Sequence, residues 1–296
     1  MALEKDTVQQ TLCIPLWCRA RAAESHPDFW PDHDAARILE ELKAKPPSGL
    51  LYRLEYPCLQ TAVRQYDMMR EIADYVQSGH PRAAIVELGA GLSCLRRQMA
   101  EQDMPGARNP WYAVDFPDVI ELRKQLVPDD GVERRIACDL NDLSWMDAVE
   151  FDPVDGIILF GAGLFYYFRP SEVQALVTAM AERFPGGALA FDATSSRGLK
   201  GVNHEVKQAG NKTSSYFSLE KPTREVPTWS SHISHVHERD YWYGYADPKT
   251  YHASPLTRAI RWHMRQLHLG FIVHVDFADA NQDQSPVKEP SRDIRS

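Results

Sequence analysis

Short apolar runs recur through the middle of the chain, with helical stretches between most of them. The runs are "AAIVEL", "WYAVDF", "RRIACDL", "DGIILFG" and "ALAFDAT". A strand buried on both faces reads as a nearly continuous apolar run, and strands alternating with helices imply a parallel sheet between helical layers. Upstream, "DHDAARILEELKAK" sets Ala35, Ile38, Leu39 and Leu42 at helical spacing. "PCLQTAVRQYDMMREIADYVQSG" repeats it through Ala62, Tyr66, Met69, Ile72 and Val76, up to Gly79. "SEVQALVTAMAERF" and "LTRAIRWHMRQLH" predict two later helices, and "FIVHVDFA" a final strand. The fold class is therefore α/β. A helical cap is expected over 1–80 and a core over 81–278, with a lid-like insertion around 200–255. The polar, proline-bearing stretch over 279–296 reads as a flexible tail.

A chain of 296 residues suits one large capped domain better than two full ones. Its net charge of −8 and scattered basic residues argue against a nucleic-acid partner. No apolar run approaches the roughly 18 residues of a membrane span, and "MALEKDTVQQ" lacks a signal-peptide core. The expectation is a cytoplasmic protein with no membrane partner. Cys13, Cys18, Cys58, Cys94 and Cys138 are odd in number and form no CxxC pair, so free buried thiols are expected rather than a disulfide frame or a zinc site.

The first run leads into "VELGAGLSC". Gly89 and Gly91 permit a tight strand-to-helix turn and close approach of a ligand to the backbone. The dinucleotide fingerprint requires a third glycine where this chain has Cys94, which disfavours an NAD-dependent oxidoreductase. Glu87, two residues before the glycines, instead suits the cationic sulfonium and amino-acid end of S-adenosylmethionine (SAM). Asp115 closes the second run and is placed to accept both ribose hydroxyls. Asp139, in "ACDLND", is placed to accept from the adenine amino group, with Leu140 packing on the ring. Each acid alone would also read as a turn or capping residue. Three at successive strand ends make the set specific.

The blocks "TVQQTLCIPLWCRARAAE", "VELGAGLS", "WYAVDFPDVIELRKQLVP", "ACDLNDLSWMD" and "AGLFYYFRPSEVQALVTAMAERFPGGALAFDATS" resemble the leucine carboxyl methyltransferase superfamily, in its bacterial tetracenomycin-type polyketide O-methyltransferase branch. The resemblance covers most of the chain, more faintly through "YFSLEKPTREVPTWSSHI". It implies a class I methyltransferase fold: a Rossmann-like seven-stranded sheet, mostly parallel with an antiparallel last strand, under N-terminal helices. It implies SAM as cofactor, S-adenosylhomocysteine as product, and Arg64 as the grip on the cofactor carboxylate. Arg19 matches a further position lining the cofactor or substrate cavity. Ser93, Cys94 and Leu95 depart from the relatives' pattern, as does Ala162 where many carry glutamate beside the cofactor.

If the acceptor is a carboxylate, it is already ionised; a phenol needs a base. Tyr167, which matches a family tyrosine, and His232 and His235 of "SSHISHVHERD" are the catalytic candidates. A zinc reading of the histidine cluster, with His237 and the upstream His204, is disfavoured because no thiol accompanies it. Tyr166, Tyr167, Tyr216 and Trp229 are the candidate lining for a planar or apolar acceptor. The expected function is O-methylation of a small, natural-product-like carboxylate or phenol. Methylation of a protein C-terminus, or SAM binding without turnover, are the rivals. The oligomeric state stays open, a homodimer included.

Overall fold

The computed structural model describes residues 12–44, 46–47, 50–208, 214–245 and 251–280. Three helices come first: α1 (Cys13–Ser25), α2 (His33–Leu42) and α3 (Glu55–Gln77). Strands and helices then alternate through β1 (Ala84–Leu88), α4 (Leu95–Glu101), β2 (Trp111–Asp115), α5 (Pro117–Leu126), β3 (Glu133–Ala137), β4 (Ile157–Gly161), α6 (Pro170–Arg183) and β5 (Ala188–Ala193). The remainder holds α7 (Ser196–Gln208), α8 (Pro222–Glu225), β6 (Ile233–Asp240), α9 (Pro255–Gln266) and β7 (Phe271–Phe277).

The sheet order is β3-β2-β1-β4-β5-β7-β6. β1 through β5 pair parallel, and β7 runs antiparallel to both neighbours. This is the class I methyltransferase arrangement. β1, β2, β4 and β5 are buried along their whole length, which is why their sequences read as unbroken apolar runs. β3, at one edge, is only half-buried. The strand order reverses between β1 and β4, and a crevice opens there beyond the strand tips.

Side chains alternate along each strand. Ile85, Trp111, Phe160 and Ala190 join the core beneath α1 and α3, whereas Val86, Val114, Leu159 and Phe191 join the core beneath α6. The same alternation puts Glu87, Asp115 and Asp192 on the α1–α3 side, so three carboxylates face the roof made by the first helices.

The segment expected to be a lid, 200–255, contains β6, an integral strand of the sheet. Its residues 209–213 and 246–250 lie outside the described residues, as do 281–296 of the expected tail. No helix among the described residues is long and apolar enough to cross a membrane.

Candidate active site

β1 ends at Leu88, and Gly89 and Gly91 follow with φ of 61° and 51°. Side chains are disfavoured in that left-handed region. A Cβ on Gly89 would also lie 2.5 Å from Leu164 Cδ1. Asp115, at the tip of β2, braces the turn: Oδ2 accepts from Gly91 N–H at 2.7 Å and Oδ1 from Phe116 N–H at 2.7 Å. Burial pushes Asp115 up to about 6, although the two amides oppose it.

Arg123 of α5 fastens the same turn from below. Its Nη1 donates to Gly91 O at 3.1 Å and Ser93 O at 2.7 Å. Nε and Nη2 grip both oxygens of Glu133, at 3.0 and 2.5 Å. Arg19 of α1 holds it from above, with Nη2 donating to Leu92 O at 2.7 Å and Nη1 3.3 Å from Asp32. Glu87 stands beside the turn, 3% exposed, and its Oε2 has no hydrogen-bond partner. Burial pushes it up to about 7, outweighing Arg123 at 4.0 Å and a hydrogen bond from Ser93. Cys94 is buried, and burial raises its thiol to about 12, which makes it inert packing.

The facing wall is organised by Asp192, near the end of β5. Its Oδ1 accepts from Gly163 N–H at 2.5 Å, and its Oδ2 from Tyr166 Oη at 3.0 Å and Arg64 Nη1 at 3.4 Å. Gly163 has φ 71°, and a Cβ there would meet Arg64 Nη1 at 2.6 Å. Its lack of a side chain lets the guanidinium lie against the backbone. Arg64 Nε has no hydrogen-bond partner.

Between these walls lies a cavity of about 450 Å³, within the range of small-molecule sites. Glu87, Gly89, Gly91, Asp115 and Leu140 line one end. Arg64, Ala162, Tyr166 and Tyr167 line the other, and Arg19 contributes from the roof. Ten of the residues singled out in the sequence thus meet in one cavity.

Five do not. Asp139 is exposed, and its Oδ1 closes a local turn by accepting from Asn141 N–H at 2.9 Å and Nδ2 at 3.2 Å; its neighbours Cys138, Leu140 and Asn141 face the cavity instead. Tyr216 is 53% exposed and approaches the site only through its backbone, donating N–H to Tyr166 O at 2.7 Å. Trp229 packs on Phe217 in the core beneath α6, centroids 6.5 Å apart. His232 and His235 are at the wrong end of the sheet. His235 pairs with Asp276 of β7, and Asp276 pairs with Ala188, where β5 begins rather than ends. His235, His237 and His274 form a local ring cluster there, with Asp276 3.6 Å from His237.

Residues missed in the sequence are Asp192 and Arg123. Asp192 follows "ALAF", and the signal that marked Asp115, an acid closing an apolar run, would have found it. Tyr241 directly follows β6, at the strand-tip end of the sheet, and lines the cavity. Among the described residues, no group of three or more metal-type ligands converges.

No family model matches the chain. It is 28% identical over 173 residues to the tetracenomycin polyketide synthesis O-methyltransferase TcmP of Streptomyces glaucescens, covering 53% of this chain and 62% of that one. The match thus spans about three fifths of that relative's length. It is 23% identical over 235 residues to the S-adenosyl-L-methionine-dependent methyltransferase dpfgK of Gibberella zeae, covering 74% and 73%. The crystal structure of a DUF574 family protein from Streptomyces avermitilis shares the fold, with a TM-score of 0.57 at 13% identity over 88% of this chain and 96% of that one. Strand order, the glycine turn with its acids, and these relatives agree: the chain has the fold of SAM-dependent methyltransferases and is similar in sequence to the tetracenomycin-type enzymes among them.

Proposed function

We propose that the protein transfers the methyl group of SAM to an oxygen of a small planar or apolar molecule, a carboxylate or a phenol. The observation that carries this reading is one cavity with buried carboxylates at a glycine turn, a half-buried guanidinium opposite, and aromatic rings beside it. Such a donor and acceptor set fits a ligand bearing a cation, a carboxylate and a diol. Glu87 Oε2 and Arg64 Nε are buried and unpartnered, and unsatisfied groups of opposite charge are what an amino-acid moiety would pair. Asp115 retains lone pairs for ribose hydroxyls beyond those its two amides use. Bound there, SAM supplies an activated methyl group.

The protein's own part is then largely positioning. Asp192 fixes Arg64 and the segment carrying Gly163 and Tyr166. Tyr166, held by Asp192 and pushed well above the ordinary phenol range by burial, is a rigid wall rather than a base. Tyr167 is the aromatic residue to test for contact with the acceptor. Calorimetry with S-adenosylhomocysteine tests the cofactor, and labelled SAM with panels of acids, phenols and C-terminal peptides tests the acceptor. A folded sample that binds no S-adenosylhomocysteine overturns the reading.

Two predictions belong to this site. His232→Ala and His235→Ala should each leave kcat/KM within about twofold of wild type; a large loss would return the histidines to the mechanism. The second concerns pH. Glu87 is raised from the ordinary glutamate range to about 7. Between those values the unfolded chain releases this proton before the folded one, so Glu87's contribution to stability falls as pH rises. Binding a cation beside it has the opposite sign, because the ionised form is preferred. Wild type should therefore lose stability relative to Glu87→Gln across that window, while its affinity for S-adenosylhomocysteine rises. Parallel curves for wild type and variant in both titrations would remove Glu87 from the cation site.

A further inference from the structure

α3 turns one face to the cavity. Pro57, Thr61, Arg64 and Gln65 line it, and their positions follow the spacing of a single helix face. Thr61 donates its hydroxyl to the Pro57 carbonyl at 2.9 Å, and Asp192 holds Arg64. Gln65 differs from both. It is 6% exposed, and its Oε1 has no hydrogen-bond partner.

A buried acceptor left without a donor is destabilising, so its presence calls for a physical reason. Among the described residues, two buried oxygens line the cavity and lack a partner: Gln65 Oε1 and Glu87 Oε2. Asp67 and Gln98 also bury unpartnered oxygens, but neither lines the cavity. Next to Gln65 on α3, Arg64 brings an unpartnered donor, Nε. Two acceptors and a cationic donor are the complement of an α-amino acid, whose ammonium donates and whose carboxylate accepts.

We propose that Gln65 is a cofactor-binding residue whose Oε1 accepts a hydrogen bond from the α-ammonium of SAM, a group it shares with Glu87. The inference rests on the methyl-transfer reading of this cavity. Arg64 and Gln65, adjacent on α3, then hold the two ends of one amino-acid moiety, the first its carboxylate and the second its ammonium.

The division of charge suits that task. Glu87 neutralises the ammonium. The Gln65 amide adds an acceptor without a second negative charge, which would repel Glu87. The consequence is selectivity for the intact cofactor. A nucleoside without the amino group leaves both oxygens buried and unpaired, and a site built to hydrogen-bond a group discriminates strongly against a ligand that lacks it.

Calorimetry on the full chain with three probes tests this: S-adenosylhomocysteine, its deamino analogue, and methylthioadenosine, which lacks the whole amino-acid moiety. Wild type should bind S-adenosylhomocysteine at least about tenfold more tightly than the deamino analogue. Gln65→Leu should weaken S-adenosylhomocysteine about 10- to 100-fold, the range for a hydrogen bond to a charged group. Its affinity for the other two probes should stay within about threefold of wild type. Ligand-free Gln65→Leu should melt no lower than wild type, because an apolar group replaces an unpaired acceptor. Gln65→Asn keeps the amide but withdraws it by one methylene, and should show the same selective loss. Wild-type preference retained in both variants, or a variant that melts lower and loses affinity for all three probes alike, overturns the proposal and leaves the cofactor reading standing. A folded wild type that binds none of the probes overturns that reading and the proposal with it.

Discussion

Arg123→Ala is expected to destabilise the protein by about 3–5 kcal/mol, the usual result of removing one partner of a buried ion pair. The side chain is 1% exposed and satisfies four acceptors at once: both oxygens of Glu133 and the carbonyls of Gly91 and Ser93. Its loss strands Glu133 and leaves Glu87, already pushed up by burial, without its nearest cation. Arg135, whose Nε reaches Glu133 at 2.8 Å, softens the effect and sets the lower end of the range. The glycine turn also loses its underside, so S-adenosylhomocysteine affinity should fall with stability. Arg123→Lys keeps the charge but not the fork and should recover only part of both. Urea melts with calorimetry check this, and a loss below about 1 kcal/mol would mean the network is not holding the turn.

Arg123 was not legible in the sequence. In "DVIELRKQLV" it sits beside another base and within reach of acids, and such a stretch normally reads as a solvated helix face. What buries it is Glu133, a strand residue that becomes a neighbour only through the parallel pairing of β2 and β3. Arg64 and Asp192 meet across 128 positions for the same reason. The glycines, Glu87 and Asp115 were legible because their signal is local: a fully buried strand must read as an apolar run, and the ligand-facing end of a parallel strand is its last residue or the turn after it. That rule explains the errors too. Asp139 obeys it in sequence, but β3 is a half-exposed edge strand, so its tip is free to close a turn toward solvent. The histidines cluster in sequence and in space, but β6 enters the sheet from the far end. Only Tyr241, past its last residue, reaches the cavity. Proximity along the chain identifies a cluster without saying at which end of the sheet it lies.

Asp115 is the residue on which the cofactor assignment depends most sharply, and Asp115→Ala should raise the Kd for S-adenosylhomocysteine about 100-fold. Charge-assisted hydrogen bonds contribute about 1.5–3 kcal/mol each, and tenfold in Kd is about 1.4 kcal/mol. Losing the carboxylate from a ribose diol alone accounts for that factor. A second loss is intramolecular, since Gly91 N–H and Phe116 N–H both donate to this carboxylate and the alanine variant leaves the turn unbraced. Asp115→Asn separates the two. It keeps the shape and one acceptor oxygen, but turns an amide NH2 toward one of those N–H donors, so the turn must shift. If the carboxylate serves only the turn, both variants should melt lower while affinity, measured on the folded fraction, stays within about threefold. If it also holds the ligand, affinity falls in both variants by more than their loss of stability accounts for. The defect should also be greatest above about pH 6, where the wild-type carboxylate is ionised. A flat pH dependence of the wild-type-to-variant ratio would assign Asp115 to the turn alone.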